Sequence, residues 1–578
     1  MKIVLVAQNS SYTHTNAAVR IFARLLSPKH EVKIIETTVN DRGGAEAVSE
    51  KLYREKADMY AFSVYIWNRT EQLLSARIIK QLLPDCIVAI GGPEVSYEKE
   101  DFISRNPYVD YLIRGEGEQA ICDIADGKYK LGSIIDGGIF NGFSVSSEPY
   151  YSETNSIGGS LGENENYDGK LIYYESSRGC PYNCSYCLSS AKRPGEHVRA
   201  KTAEFAAEEI KILMSHNVKA IKFVDRTFNF DIARAKYIFI KIMEFAKENT
   251  EKGKYSGPTC HFEICAALID DETIDILSDA PEGLFRFEIG VQTATSETLE
   301  AIGRRNDTEK IITAVKKLRE RTRVTVHLDL ICGLPLDTVE GIKKSFNLIY
   351  GLCDCLQMGF LKLLPGTRLR EEAGKYGMIY LDMPPYTVLC NSTVSFDEMR
   401  MLSRIADAAE KFSEKDSGFF SSVEYLIGKA RSAFDFYDEL SSFLSKNGAV
   451  SSRKMYEEIF LFAEKQGYLK DGSSDILREK LRYDFLLSNQ GTPPAAIDRK
   501  YSDDEKEYIF SVRRAVIHEK PKEDIKLFVP ALEAHLFLFD EDSVYLIDRK
   551  NHCFEVRKKA ELCNMYNIEP CNCAKDKF

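Results

Sequence analysis

The chain has 578 residues, 44% of them hydrophobic, with a formal net charge of −11. That length exceeds what one core supports, so roughly three or four domains are expected, and the acidic balance argues against a broad nucleic-acid surface. No apolar run reaches the roughly 18 residues of a membrane helix, and Met1-Lys2 leads straight into a strand-like run without room for a signal peptide. The 15 cysteines are then expected as free thiols and metal ligands of a cytoplasmic protein, not as disulfides.

Residues 1 to about 126 alternate strand and helix patterns. Strand-like runs are Ile3–Ala7, Val32–Glu36, Tyr60–Tyr65, Ile87–Ile90 and Tyr111–Arg114, with helical patterns such as Ala17–Leu26 and Thr70–Leu83 between them. This predicts a doubly wound, Rossmann-like α/β domain, whose ligands bind at the carboxyl ends of parallel strands. The loops at those ends are Ser63 to Asn68, Gly91-Gly92-Pro93-Glu94 and Gly115-Glu116-Gly117-Glu118. Their glycines either let backbone approach a large planar or phosphate-bearing ligand, or merely turn the chain.

The Gly-Gly-Pro after the fourth run and the Arg-Gly-Glu-Gly-Glu after the fifth together resemble the cobalamin-binding domain that precedes some radical S-adenosylmethionine (SAM) barrels. The resemblance implies that the nucleotide tail of cobalamin enters the sheet, lined by Ser63, Gly91, Gly92 and Pro93, with Gly115 and Glu116 beside it. The first loop departs from the D-x-H-x-x-G pattern of methionine-synthase-like domains. In Tyr12-Thr13-His14-Thr15-Asn16-Ala17 the histidine is kept, and the aspartate and glycine are not. A ligating imidazole needs an oriented partner for its second nitrogen, so His14 as cobalt ligand stands beside the alternative of a cobalt without protein imidazole. Trp67, the one tryptophan, is a candidate wall for the corrin or a core residue.

Residues 127–170 hold Gly137-Gly138, Gly158-Gly159, Gly162 and many polar residues, and read as a linker with little core potential. From 171 to about 376, strand and helix repeat over the length of a partial (β/α)6 barrel. The expected strands are Leu171–Tyr174, Ala220–Val224, Cys260–Ala266, Leu284–Val291, Thr325–Ile331 and Gln357–Leu364, with a helix at Ala203–Met214. Chemistry in such barrels sits at strand carboxyl ends, where Asp225, Glu263, Glu288, Gln292 and Asp329 fall.

After the first of these strands come Cys180, Cys184 and Cys187, at C-x3-C-x2-C spacing. Three thiolates from one short loop hold three corners of a cubane iron–sulfur cluster and leave the fourth iron open. Gly179 and Pro181 suit a tight turn around it. A C-x2-C alone is more often a zinc knuckle, but no partner pair follows at zinc-finger spacing. With Tyr186 before the last cysteine, the run resembles the radical SAM superfamily signature, C-x3-C-x-aromatic-C. The resemblance implies a 4Fe-4S cluster on the three cysteines, SAM on its open iron, and Tyr186 against a purine ring. Phe287–Gln292 is similar to the SAM-contacting fourth strand, and Asp329–Pro335 and Leu361–Thr367 are similar to the fifth and sixth, with Lys362 or Leu363 at the adenine. The implied SAM set is Tyr186, Asp225, Glu263, Glu288, Gln292 and Leu363.

Beyond Gly377 the resemblance thins. Pro384-Pro385-Tyr386 breaks the chain, and Cys390 falls in a loop expected over the barrel mouth. Phe396 to about Ser488 reads as helical, with runs such as Met401–Phe412 and Lys454–Gln466. Short strands follow at Lys526–Val529, His535–Phe539, Val544–Ile547 and Cys553–Val556, with a hairpin at Asp548–His552. Cys571-Asn-Cys573 is either a metal site or a frayed end. The expected domains are therefore 1–126, cobalamin-binding; 127–170, linker; 171–376, radical SAM barrel; and 377–578, a family-specific region, mostly helical with a small β element. The resemblance implies a methyltransferase: the radical from SAM takes hydrogen from an unactivated carbon of a small-molecule or peptide substrate, and methylcobalamin delivers the methyl group. It also implies a reducing partner such as flavodoxin or ferredoxin. A cobalamin-dependent relative that cyclises, oxidises or rearranges is the alternative, and a non-catalytic redox or cobalamin sensor is a third. A methylthiotransferase is disfavoured, because only Cys86 and Cys122 precede the loop.

Overall fold

The computed structural model describes residues 1–140, 167–190, 197–251, 254–304, 307–446, 448, 450–470, 473–489, 491–519, 532–537, 540–548 and 553–566. The strands Lys2–Asn9, Glu31–Thr38, Met59–Ser63, Ile87–Gly91, Tyr111–Arg114 and Ser133–Asp136 pair in parallel in one six-stranded sheet. They are apolar on both faces because helices cover both. Val4, Val6, Tyr60 and Phe62 pack with Val48, Leu52, Ala76 and Ile79 of the helices Gly44–Glu55 and Arg69–Leu82. On the opposite face Ile3, Leu5, Ala7 and Met59 meet Val19, Ala23, Ile121 and Ile124 of the helices Ala17–Leu26 and Glu118–Ala125. The spatial order runs second, first, third, fourth, fifth, sixth. Direction therefore reverses between the first and third strands, which opens a crevice at their carboxyl ends.

The sixth strand falls inside the segment read as a linker. Ser133–Asp136 pairs residue by residue with Tyr111–Arg114, and Ile135 is buried. Two isoleucines between Gly132 and Gly137 are too short a signal to stand out from a polar neighbourhood. The glycines at 158, 159 and 162 lie outside the described residues.

A second six-stranded sheet holds Leu171–Tyr174, Ala220–Phe223, Thr259–Glu263, Phe285–Gln292, Thr325–Cys332 and Cys355–Phe360 in chain order. The first five are parallel. First and sixth strands stand at opposite edges, so the sheet is an open, partial barrel. The sixth ends at Phe360, earlier than the sequence pattern places it, and Lys362 keeps a single bridge to Thr387.

Period-two alternation splits the two faces of this sheet. Phe223, Phe262, Phe285 and Phe287 lie on one face and pack with Phe228 and with Phe239 of the helix Ile232–Ala246. Phe223 and Phe262 stack at 4.1 Å between centroids. The opposite face carries Tyr173, Lys222, His261, Glu263, Glu288, His327 and Asp329, all half-buried.

These two sheets, except the first three residues of Cys355–Phe360, belong to one compact unit, Met1–Ser345 with Met358–Met399; Phe346–Gln357 and Arg400–Phe578 form a second. In the second, the helices Phe420–Ile427, Ala433–Leu444, Ser452–Lys465, Ser473–Ser488 and Asp503–Glu519 precede a three-stranded antiparallel sheet, Leu532–Phe537, Asp540–Asp548 and Cys553–Lys558. The helix Asp503–Glu519 escapes the sequence pattern. Its acidic first turn and sparse apolar stripe, Tyr508, Val512 and Val516, become legible only against Ala534, Leu536 and Val544. Lys526–Val529, the turn at 549–552 and Cys571–Cys573 lie outside the described residues. Among the described residues no helix is long and apolar enough to cross a membrane.

Phe262 is fully buried amid five other phenylalanine rings. Phe262→Ala is expected to destabilise the first unit by about 3–5 kcal/mol, measured as a lowered urea midpoint; a change under about 1 kcal/mol would mean the cluster is not a core.

Candidate active site

The cysteine loop starts from a buried anchor. Asp225, just past the second barrel strand, accepts the Ser176 amide at 2.9 Å and the hydroxyls of Ser176 and Ser177 at 2.5 and 2.6 Å. It is 0% exposed. Burial raises its pKa, and the serine donors and Arg234 oppose that shift. Arg234 also donates to the carbonyls of Ser176 and Lys201. Asp225, expected at SAM, is buried against the loop and fixes its backbone.

Beyond that anchor, Cys184 is buried and Cys180 and Cys187 are half-buried, all three as free thiols. The Ser185 amide donates to Ile302 O at 2.8 Å, and the Leu369 amide donates to Ser185 O at 2.9 Å, which pins the loop to the far side of the barrel. Among the described residues no three His, Cys, Asp or Glu side chains converge as ligands of a single ion would. Thiolates at three corners of a cubane each meet a different iron and stand apart.

Sequence reading passed over Arg304. Its Nη2 donates to Gly290 O at 2.5 Å, and its Nη1 lies 3.2 Å from Tyr186 Oη and 3.9 Å from Cys184 Sγ. Burial raises the Cys184 pKa and Arg304 opposes it, so the guanidinium favours a thiolate there. A lone arginine after a short helix carries no spacing that would have marked it.

A second set of contacts joins this loop to the first sheet. Arg178, two residues before Cys180, is held by Glu116 at 3.1 Å, Glu118 at 2.8 Å and Glu175 at 2.8 Å. Burial opposes its charge, yet Glu175, Glu118 and Glu116 keep it firmly protonated. Arg199 pairs with the same Glu116, whose carboxylate also accepts the Phe140 amide at 2.7 Å. Glu116, expected beside cobalamin, is engaged in this joint. Tyr386 similarly donates to Glu94, which receives Arg69 at 3.2 Å.

On the half-buried face of the barrel sheet, Glu288 takes His261 Nε2 at 2.9 Å and Lys222 Nζ at 3.2 Å. His261 foremost, and Lys222 with it, lower its pKa to about 2. Glu263 has Arg226 at 3.4 Å, but burial raises its pKa. Asp329 makes no ion pair among the described residues, and Lys222 and Arg304 only partly oppose what its burial does. Burial, then Glu288 and Glu263, push it up to about 7. Its Oδ1, together with Gln292 Oε1 and Arg304 Nε, is buried with no hydrogen-bond partner among the described residues. Gln292 moreover sits at φ 71°, a left-handed conformation that a non-glycine residue rarely adopts. Orphaned polar atoms beside three thiols at strand carboxyl ends fit a polar ligand there. Leu363, expected at the adenine, is fully buried in a cluster with Leu361, Tyr376 and Tyr186.

The crevice of the first sheet carries the remaining expected residues. Ser63 ends the third strand and is buried. Gly92, at φ +116°, runs so close to the 63–68 loop that a Cβ would lie 2.4 Å from Val64 O. Gly91 and Gly115 are half-buried and Pro93 is exposed. Trp67 is no core residue: it is 47% exposed, stacks on Tyr65 at 4.5 Å and donates to Gln8 O at 3.0 Å. His14 Nδ1 lies 2.9 Å from Tyr173 Oη and 3.1 Å from Ser10 Oγ, and burial followed by Lys222 lowers its pKa.

Three family models match the chain: B12 binding domain over residues 3–125, Radical SAM superfamily over 174–349, and Protein of unknown function (DUF4080) over 374–529. The chain is 27% identical over 314 residues to a 2-(S-pantetheinyl)-carbapenam-3-carboxylate methyltransferase of Streptantibioticus cattleyicolor, covering 50% of this chain and 44% of that one. It is 26% identical over 351 residues to the cobalamin-dependent radical SAM methyltransferase TokK of Streptomyces tokunonensis, covering 56% and 49%. The chain thus spans about half the length of these curated relatives. The fold is similar to that of the radical SAM methyltransferase TsrM from Kitasatospora setae, solved with cobalamin and a 4Fe-4S cluster, at TM-score 0.52 and 17% identity over 66% of this chain and 78% of that one.

Asp329 sets a pH dependence. Its folded-state pKa of about 7 exceeds the ordinary 3.8, so the folded chain holds this proton more tightly than the unfolded one. Its contribution is full below the ordinary value and is lost as pH rises through about 7. Chemical denaturation at stepped pH should show wild type losing stability across that window relative to Asp329→Asn; parallel curves would refute the shift.

Proposed function

Because the chain belongs to the radical SAM superfamily and carries a B12 binding domain ahead of its Radical SAM domain, we propose that it is a cobalamin-dependent methyltransferase acting on an unactivated carbon of a small-molecule or peptide substrate. A Radical SAM domain implies SAM and a 4Fe-4S cluster, and a B12 binding domain implies cobalamin. One observation carries the reading. The loop bearing Cys180, Cys184 and Cys187 is tied through Arg178 to Glu116 and Glu118, at the carboxyl end of the first sheet. Both proposed cofactor sites would then be neighbours within one compact unit, which supports the reading.

When bound, these groups supply hydrogen-atom abstraction and methyl donation; the chain's own residues position and shield. Cys180, Cys184 and Cys187 hold the cluster. Tyr186, Gln292, Glu263 and Glu288 border SAM, and Arg304 sets the electrostatics of Cys184. Asp329 offers a proton-bearing oxygen to a donor or acceptor on the ligand. Ser63, Trp67, Gly91, Gly92, Pro93 and Gly115 line the cobalamin crevice. Glycines there let backbone approach, while the half-buried barrel face keeps bulk water from the reacting carbon. A reductant such as flavodoxin or ferredoxin completes the set.

Cys184→Ala is expected to fold, judged by an unchanged circular dichroism spectrum, and to lose reductive SAM cleavage; cleavage at the wild-type rate would exclude the cluster assignment. Separately, anaerobic turnover with methyl-deuterated SAM and candidate metabolites should place label in the product. Label-free product accompanied by 5′-deoxyadenosine would instead indicate a cyclisation, oxidation or rearrangement.

A further inference from the structure

We infer that Lys222 and Arg226, on and just past the second barrel strand, recognise an anionic group of the substrate, a carboxylate or a phosphate, and so select acidic molecules. This rests on the methyltransferase reading above and adds a substrate class to it.

Position comes first. Lys222 pairs in register with Tyr173 on one side and His261 on the other, and Tyr173 Oη lies 2.9 Å from His14 Nδ1 of the first fold. Arg226 stands in the turn that follows the strand. Thr227 Oγ1 donates to Arg226 O at 2.8 Å and lies 3.5 Å from Cys180 Sγ. The two cations therefore lead from the first fold toward the cysteine loop, across the interval a carbon must occupy to be reached from both proposed cofactors. Their charged ends meet acids that are themselves register neighbours: Lys222 Nζ is 3.2 Å from Glu288, and Arg226 Nη1 is 3.4 Å from Glu263.

Electrostatics decide the sign. Lys222 keeps 29% of its side chain exposed and Arg226 keeps 55%, so neither is spent in a closed pair. Glu288 does not depend on Lys222, because His261 Nε2 holds it at 2.9 Å and is the foremost cause of its low pKa. Glu263 holds Arg226 by one long contact, whereas a guanidinium fork offers a carboxylate or phosphate two parallel donors. SAM carries a sulfonium and an ammonium against one carboxylate. Bordered by Glu263 and Glu288 as proposed above, it offsets both acids and leaves Lys222 and Arg226 without counter-charge. Asp329, near neutrality in its titration, adds little to restore the balance. Cations in a half-desolvated cavity then favour an anion, and a substrate ammonium would meet both of them as repulsion.

The test uses whole protein reconstituted anaerobically with iron, sulfide and cobalamin, supplied with reductant and methyl-deuterated SAM. The probe is the small-molecule and peptide extract of the cells that make the protein, split on an anion exchanger at neutral pH. Stimulated SAM consumption is expected from the retained fraction alone. Esterification in acidic methanol should abolish the stimulation if the group is a carboxylate, and phosphatase should abolish it if the group is a phosphate. Stimulation and deuterated product from the unretained fraction would overturn the inference and keep methylation. Stimulation by the retained fraction without deuterium in any product would keep the anion site and overturn methylation. No stimulation by either fraction would overturn both. Arg226→Gln and Lys222→Met should each raise the amount of retained fraction needed for half-maximal consumption about tenfold or more, with Arg226→Lys in between, while SAM affinity by equilibrium dialysis stays within about twofold. An equal loss of SAM affinity would assign Arg226 to the carboxylate of SAM, and unchanged half-maximal amounts would remove both residues from the site; either overturns the inference.

Discussion

One half-buried guanidinium ties the cysteine loop to the first sheet's domain. Arg178 receives carboxylates from Glu116 and Glu118, just past the fifth strand of the first sheet, and from Glu175, three residues before it in its own loop. A half-buried cation with three acid partners keeps all of them only while both sheets stay in place. Were it lost, Glu118 and Glu175 would lose this cation, and Glu116 would keep only Arg199. The cysteine loop begins two residues later, so its placement is inherited from this joint. Arg199 on Glu116 and Tyr386 on Glu94 repeat the device at other points of the same boundary. A charged or hydroxyl donor from beyond the first sheet meeting an acid in the loops past its strands gives direction to a contact that apolar packing alone would leave free to slide.

The barrel sheet turns the usual logic of its fold around. An ordinary (β/α) barrel fills its interior with aliphatic layers. Here the aromatic layer lies toward the helices, and the opposite face holds lysine, histidines and acids. These groups are not equivalent. Glu288 is locked as an anion by His261 and Lys222, while Asp329, lacking such a partner, stays near neutrality in its titration. Two carboxylates on adjacent strands are thereby pushed apart in acidity, the arrangement by which one site presents both a charged and a proton-bearing oxygen.

Much of the backbone was legible because strand runs such as Ile3–Ala7 and Tyr111–Arg114 are continuous apolar stretches, which parallel sheets demand. The cysteine loop was legible because a spacing of three thiols is rare by chance. What escaped the sequence depends on partners distant along the chain. Asp225 looks like any acid at a strand end until Ser176 and Ser177 close over it. The pairing of Glu116 with Arg178 and Arg199 is likewise invisible along the chain. Arg304, Tyr173 and the strand Ser133–Asp136 acquire meaning only from neighbours that no local period encodes.

The edge of the barrel sheet bears on how such molecules arise. Leu171–Tyr174 has a barrel neighbour on one side only, and residues 13–15 of the preceding fold hydrogen-bond its other side at Leu171. Left bare, a lateral strand is a template for sticking to other chains. The leading fold therefore caps the start of its neighbour's edge at Leu171, so exchanging one fold without the other would uncap that end of the strand.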